Sequence, residues 1–304
     1  MGTPEFAAES LRKLYSDGHD IVGVFTQADK PKNRGMKTGF SPVKELALSH
    51  GTSVFQPLTL KDGVAADIIS SLGCDLIVLV AYGKILPKAI LDIPPLGCIN
   101  IHGSILPKYR GAAPIQHAII NGETETGVTS QHISEEMDAG DILYVKKTPI
   151  GENETSGDLF NRLSFLGAEL LSETVNAIAQ GITERIPQNH DEATFAPLLS
   201  KEMSPIDWTK SAKEIKNKVR GLYPWPTATM ELDGNILKVF SVDTSIGKSN
   251  SIPGSIISSG HAGLEIACSD GSVFVQEIQA AGGKRMSAAD YLRGNPIKGD
   301  CNES

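Results

Sequence analysis

Asn100 and His102 stand two residues apart in Cys98-Ile99-Asn100-Ile101-His102-Gly103. In an extended strand, residues i and i+2 point to the same face, so an amide and an imidazole share one surface at the strand's end. Gly103 and Pro107 then turn the chain into a loop. This pairing suits a reaction in which a carbonyl oxygen gains negative charge while a proton moves. The amide supplies a fixed donor, and the ring can take or give a proton near neutrality. Downstream, Met137-Asp138-Ala139-Gly140-Asp141 brings a carboxylate beside another glycine, and Asp138 is the natural group to orient or charge the ring. Each member of the trio also has a structural use, as turn former, half-buried ring or helix cap. Alone, the trio indicates acyl-type chemistry and nothing narrower.

The segments that must position it alternate. Residues 21–25, 76–80 and 98–101 are short β-branched runs, separated by amphipathic helices predicted near 6–16, 41–49 and 63–72. Continuous apolar strands between helices predict a Rossmann-like α/β domain with a mostly parallel sheet. Its active site belongs at the carboxyl ends of the strands, where Tyr82-Gly83 and Asn100/His102 fall. A strand at 127–133 should lead into the Asp138 loop. A long helix is expected over 156–180, because Leu159, Leu163, Leu166 and Leu170 recur on one helical face. Residues 183–199 are polar and aperiodic and read as a linker between a domain at 1–182 and another at 200–304. In the latter, a helix over 213–223 stops at Pro224-Trp225-Pro226. Five short strands follow, at 228–232, 236–242, 254–258, 263–267 and 273–278, and predict a small OB-like β-barrel.

Composition narrows the class. Hydrophobic residues make up 40% and charged residues 21% of 304, as in ordinary globular proteins, and no apolar run is long enough to cross a bilayer. Cys74, Cys98, Cys268 and Cys301 form no Cys-x-x-Cys pair, which argues against a zinc site or disulfide framework and for a reducing compartment. The net charge of −8 lies entirely in residues 1–200, since 201–304 carry 12 basic and 12 acidic residues. Any nucleic-acid partner must therefore be held by local basic patches. Two exist. Lys30, Lys32, Arg34 and Lys37 lie in a Gly/Pro-bearing loop, and Lys213, Lys216 and Arg220 share a helix face.

Together the segments resemble the methionyl-tRNA formyltransferases, a family of folate-dependent enzymes, over essentially the whole chain. The resemblance rests on Gly2-Thr3-Pro4-Glu5-Phe6-Ala7, Val80-Ala81-Tyr82-Gly83 with Ile85-Leu86-Pro87, and Asn100 through Pro107. It extends to Tyr109-Arg110-Gly111-Ala112-Ala113-Pro114, Pro224-Trp225-Pro226 and Gly283-Lys284-Arg285-Met286-Ser287. It implies formyl transfer from 10-formyltetrahydrofolate to the α-amino group of methionyl-initiator-tRNA, without a metal, by a monomer in a bacterial cytoplasm. The implied catalytic residues are Asn100, His102 and Asp138. The implied folate contacts are Tyr82, Gly83, Ile85 and Leu86 with Ser104, Ile105, Leu106 and Pro107. The two basic patches become the tRNA surface, the first against the acceptor arm.

One alternative is a formyltransferase acting on an amino-sugar nucleotide, against which the basic loop and the Gly283 motif weigh. A dinucleotide module is disfavoured, because no Gly-x-Gly-x-x-Gly occurs at a strand–helix turn. Family members carry several apolar residues before the Gly-Thr-Pro turn. The expectation is therefore a natural start upstream, and a sheet that lacks its central strand in the chain as given.

Overall fold

Pro4 leads the chain into α1 (Glu5–Ser16), whose inward face carries Phe6, Leu11 and Leu14. There follow β1 (Val24–Phe25), a hairpin of β2 (Lys30–Lys32) and β3 (Lys37–Gly39), α2 (Pro42–Ser49), β4 (Val54–Phe55) and α3 (Val64–Leu72). Then come β5 (Ile77–Leu79), α4 (Lys88–Leu91), β6 (Cys98–His102), α5 (Pro114–Ile120), β7 (Glu125–His132), β8 (Ile142–Pro149) and α6 (Ser156–Ala179). Helix starts follow local chemistry. Ser41 accepts a hydrogen bond from the Lys44 amide while Pro42 occupies the first turn of α2. This computed structural model describes residues 1–32, 37–247, 251–260 and 263–297.

The chain divides into two units, one of residues 1–114, 125–149 and 160–197, the other of 115–124, 150–159 and 198–304. In the first, β1 pairs with β4 in parallel, and a second sheet runs β5-β6-β7-β8. Its β5–β6 pair is parallel, whereas β7 and β8 run antiparallel. Alternation along β6 does the positioning. Ile99 and Ile101 are almost fully buried, and a Cβ added to Gly167 of α6 would touch Ile101 at 3.2 Å. Each such isoleucine contributes about 2–3 kcal/mol of burial, which commits Asn100 and His102 to the opposite face. The stretch expected as a linker packs into this unit as far as residue 197. Ile186 bridges Ile142, and Phe195 bridges Arg110. Its lack of period reflects pairing to distant single residues rather than freedom.

Met1 and Gly2 occupy part of the gap between β1 and β5 where a central strand was expected. The Gly2 amide donates to Phe25 O at 2.9 Å, the Met1 amino group to Val78 O at 2.6 Å, and the Val80 amide to Met1 O at 2.9 Å. Beyond them lies a cavity of about 430 Å³, lined among others by Leu11, Val22, Val24, Val78 and Val175.

The second unit contains α7 (Ala212–Gly221), β9 (Ala228–Leu232), β10 (Asn235–Ile246), β11 (Ile256–Gly260), β12 (Gly263–Cys268), β13 (Gly271–Ala280), β14 (Met286–Ser287) and α8 (Ala288–Gly294). A capping box between Ser211 and Glu214 starts α7. The strands form one antiparallel sheet ordered β11-β12-β13-β10-β9, with β14 on β13.

Candidate active site

Asn100 and His102 lie at the end of β6, 8% and 6% exposed, and Asp138 reaches them from the loop after β7. The Asn100 amide donates to Asp138 Oδ1 at 3.4 Å, and His102 Nδ1 stands 3.6 Å from the same oxygen. The ring's other nitrogen, Nε2, is 2.8 Å from the carbonyl of Tyr109. A carbonyl only accepts, so Nε2 carries a proton; a second proton on Nδ1 then makes the ring a cation facing Asp138. Both Asp138 (φ 52°) and Tyr109 (φ 60°) adopt the left-handed backbone region. Non-glycine residues do so at a cost, held there by their surroundings.

Asp138 is held more firmly by groups outside the trio. The Gly111 amide donates to Oδ2 at 2.9 Å, and Gln131 Nε2 to Oδ1 at 3.2 Å. The Asn100 bond is near the limit for a hydrogen bond, and the His102 approach lies beyond it. The donor on Asn100, and one on Nδ1 when the ring is protonated, are thus only loosely engaged. Both can turn to an oxygen entering the site, as catalytic groups commonly tighten only around substrate.

The residues expected to line a folate site divide by exposure. Ile85 is 72% exposed, Gly83 is exposed, and Ile105 and Pro107 are half-buried. Tyr82, Leu86, Ser104 and Leu106 are buried. Ser104 donates to the Lys108 carbonyl, and Thr129 joins Ser104 O to the Leu106 amide. Ser104 and Leu106 therefore shape the loop from beneath. Tyr82 lies in a core cluster with Phe25, Ile69, Ile77 and Leu86, where burial pushes its phenol up to about 12. Ala81, at φ 45°, precedes it.

The basic residues are placed unevenly. Arg34 lies outside the described residues, as do the side chains of Lys30, Lys32 and Lys37; the backbone of the three lysines forms the arms of the β2–β3 hairpin. On α7, Lys213 is exposed and Lys216 approaches Glu152 at 3.8 Å. Arg220 is committed locally, donating to the carbonyls of Gly151 and Glu154 at 3.0 and 3.1 Å and to Asn217. Among the described residues no group of three His, Cys, Asp or Glu could hold a metal ion. Cys74, Cys98 and Cys268 are free, and no described helix is long and apolar enough to cross a membrane.

Sequence reading missed Gln131, Gln188 and Gly111. Gln131 lies directly opposite Asn100 in the β6–β7 register, and opposed residues share a face, but that register exists only in the folded sheet.

Comparison with known proteins bears on the family and the fold. The family model described as formyl transferase matches residues 1–175, and that for the formyl transferase C-terminal domain matches 198–296. A methionyl-tRNA formyltransferase of Alkaliphilus oremlandii is 48% identical over 98% of this chain and 96% of its own length. One of Geotalea uraniireducens is 49% identical over 98% and 94%. Among solved structures, an N-formyltransferase of Helicobacter canadensis, in complex with folinic acid and dTDP-3-aminofucose, shares the fold at a TM-score of 0.68 and 19% identity. That match covers 90% of this chain and 97% of that one. HypX of Aquifex aeolicus, in complex with tetrahydrofolic acid, matches at a TM-score of 0.58 and 21% identity, over 82% of this chain and 43% of its own.

Proposed function

The chain belongs to the methionyl-tRNA formyltransferases of the formyl transferase family, and from that premise we propose that Asn100, His102 and Asp138 move a formyl group from 10-formyltetrahydrofolate to the α-amino group of initiator methionyl-tRNA. The amine nitrogen bonds to the formyl carbon, and the carbonyl oxygen takes up the displaced electron pair. When the bond between that carbon and the folate nitrogen breaks, the pair on oxygen re-forms the carbonyl. The proton lost by the attacking amine ends on the folate nitrogen. Asn100 Nδ2 and a protonated His102 donate to the transient oxyanion. Asp138, which lies beside the same Nδ1 of His102, receives the amine's proton directly or through water and passes it on. The observation that carries this reading is the convergence of both donors on one carboxylate at a strand end.

Exposed Gly83 and Ile85, with half-buried Ile105 and Pro107, offer the folate an apolar rim, while Tyr82, Leu86, Ser104 and Leu106 support it from within. The hairpin lysines and Arg34 remain our assignment for the acceptor arm. On α7 the phosphate contacts fall to Lys213 and Lys216, and Arg220 shapes the turn beside them. We read the enzyme as a monomer of a bacterial cytoplasm, with its first domain catalytic and its second bound to tRNA.

Offering the purified protein 10-formyltetrahydrofolate with either methionyl-tRNA or an amino-sugar nucleotide separates the two acceptor classes. Formylation of the tRNA alone is expected. Transfer to the sugar nucleotide with none to tRNA overturns the assignment.

A further inference from the structure

We propose that Gln131 and Gln188 are positioning residues for Asp138, linked to Arg110 in a one-way chain of hydrogen bonds that ends on the catalytic carboxylate. The proposal rests on the reading of Asp138 given above. Arg110 is 1% exposed. Its Nε and Nη2 both donate to Gln188 Oε1, at 3.1 and 2.7 Å, while Nη1 lies 3.6 Å from Glu136. A guanidinium has no acceptor. The Gln188 oxygen must therefore face Arg110, which settles an amide orientation that is otherwise ambiguous. Its NH₂ group then faces three acceptors: the carbonyls of Asp138 at 2.9 Å and Gly140 at 2.7 Å, and Gln131 Oε1 at 3.2 Å.

The same constraint passes one residue further. With its oxygen turned to Gln188, Gln131 has only its NH₂ left for the site, and that group donates to Asp138 Oδ1 at 3.2 Å. Positive charge at one end thus orders two amides so that a donor meets negative charge at the other. Gln188 also ties down the loop's own carbonyls, at the residue whose backbone is left-handed (φ 52°). Three of the four side chains are nearly inaccessible, with Gln131 at 1% and Gln188 at 6% exposure. Reversing either amide would leave two oxygens facing one another among nearly inaccessible side chains, a costly arrangement.

The Gln131 chain has a specific signature, because its effect runs through one carboxylate. Gln131→Leu is similar in shape and removes the donor. In the otherwise native enzyme it should lower kcat by about 10²-fold, the scale of a small misplacement of a catalytic group, with KM for both substrates within about twofold. In an Asp138→Ala background the same substitution should change kcat by less than about twofold, since a positioning role has nothing left to position. Gln188→Glu supplies an independent variant: it still accepts from Arg110 but cannot donate, so Gln131 must turn its oxygen toward Asp138. Its kcat should fall on the same scale in the protein that remains folded, and the oxygens it brings face to face should also lower the unfolding temperature. Unchanged kcat in Gln131→Leu, or equal losses in both backgrounds, overturns the proposal. Full activity in Asp138→Ala alone overturns instead the catalytic reading on which it rests.

Discussion

Asn100→Ala, His102→Ala and Asp138→Ala are each expected to lower turnover by about 10²-fold or more. The loss should fall on kcat, because the trio acts on charge that develops only during transfer. Each change removes a different part. Asn100→Ala takes away a neutral donor, while Asp138 stays held by Gln131 and Gly111. His102→Ala removes the ring and its hydrogen bond with the Tyr109 carbonyl, and loss of a buried hydrogen bond costs stability, so turnover in that variant must be normalised to folded protein. Asp138→Ala removes the proton acceptor and leaves Gln131 pointing at nothing. Losses in groups that act as a unit are not additive. The triple variant should therefore be little slower than the worst single one. Rates measured with saturating folate and tRNA decide the matter, and near-native turnover in any two of the three single variants would sink the assignment.

What could be read from sequence follows from how local each signal is. The i,i+2 spacing placed Asn100 and His102 on one face because strand alternation depends only on neighbours in the chain. The 156–180 helix was legible for the same reason, and α6 spans Ser156–Ala179 with Leu159, Leu163 and Leu170 buried. Asp138 could be named but not placed, since its left-handed backbone is visible in no residue type. Gln131 depends on the antiparallel register of β6 and β7, which pairs it with Asn100 only once both strands are aligned. Gln188 sits where no period exists at all. Polar residues without a pattern looked like a linker, yet Thr194, Phe195 and Ala196 are paired one by one to Tyr109, Arg110 and Ala113. Tyr82 shows the converse limit. The family resemblance implied that Tyr82, at a strand end, contacts the folate, whereas the chain turns at Ala81 and the ring joins the core.

Gly140→Ala is expected to damage stability and turnover together, for a reason distinct from backbone freedom. Gly140 is absent from the left-handed glycines; the obstacle is proximity. A Cβ there would lie 1.8 Å from the His132 carbonyl oxygen and 2.9 Å from its carbon. Both are backbone atoms and cannot swing aside. The partners are also pinned, because the His132 amide donates to Asp141 O at 2.9 Å and Gly140 O accepts from Gln188 at 2.7 Å. The loop can accommodate the methyl only by separating from the end of β7, which breaks those bonds and displaces Asp138 two residues earlier. Overpacking of this kind costs about 1–3 kcal/mol and sometimes more, enough to lower the unfolding temperature by several degrees. Displacement of Asp138 should reduce kcat by about 10²-fold in the protein that remains folded. Gly18→Ala isolates the conformational part of the argument. Gly18 has φ 79° with nothing within 4 Å of an added Cβ, so its substitution should cost about 1–2 kcal/mol from left-handed strain and leave kcat untouched. If Gly140→Ala behaves like Gly18→Ala, losing stability without turnover, then close packing of the loop against His132 is not what sets the catalytic carboxylate in place.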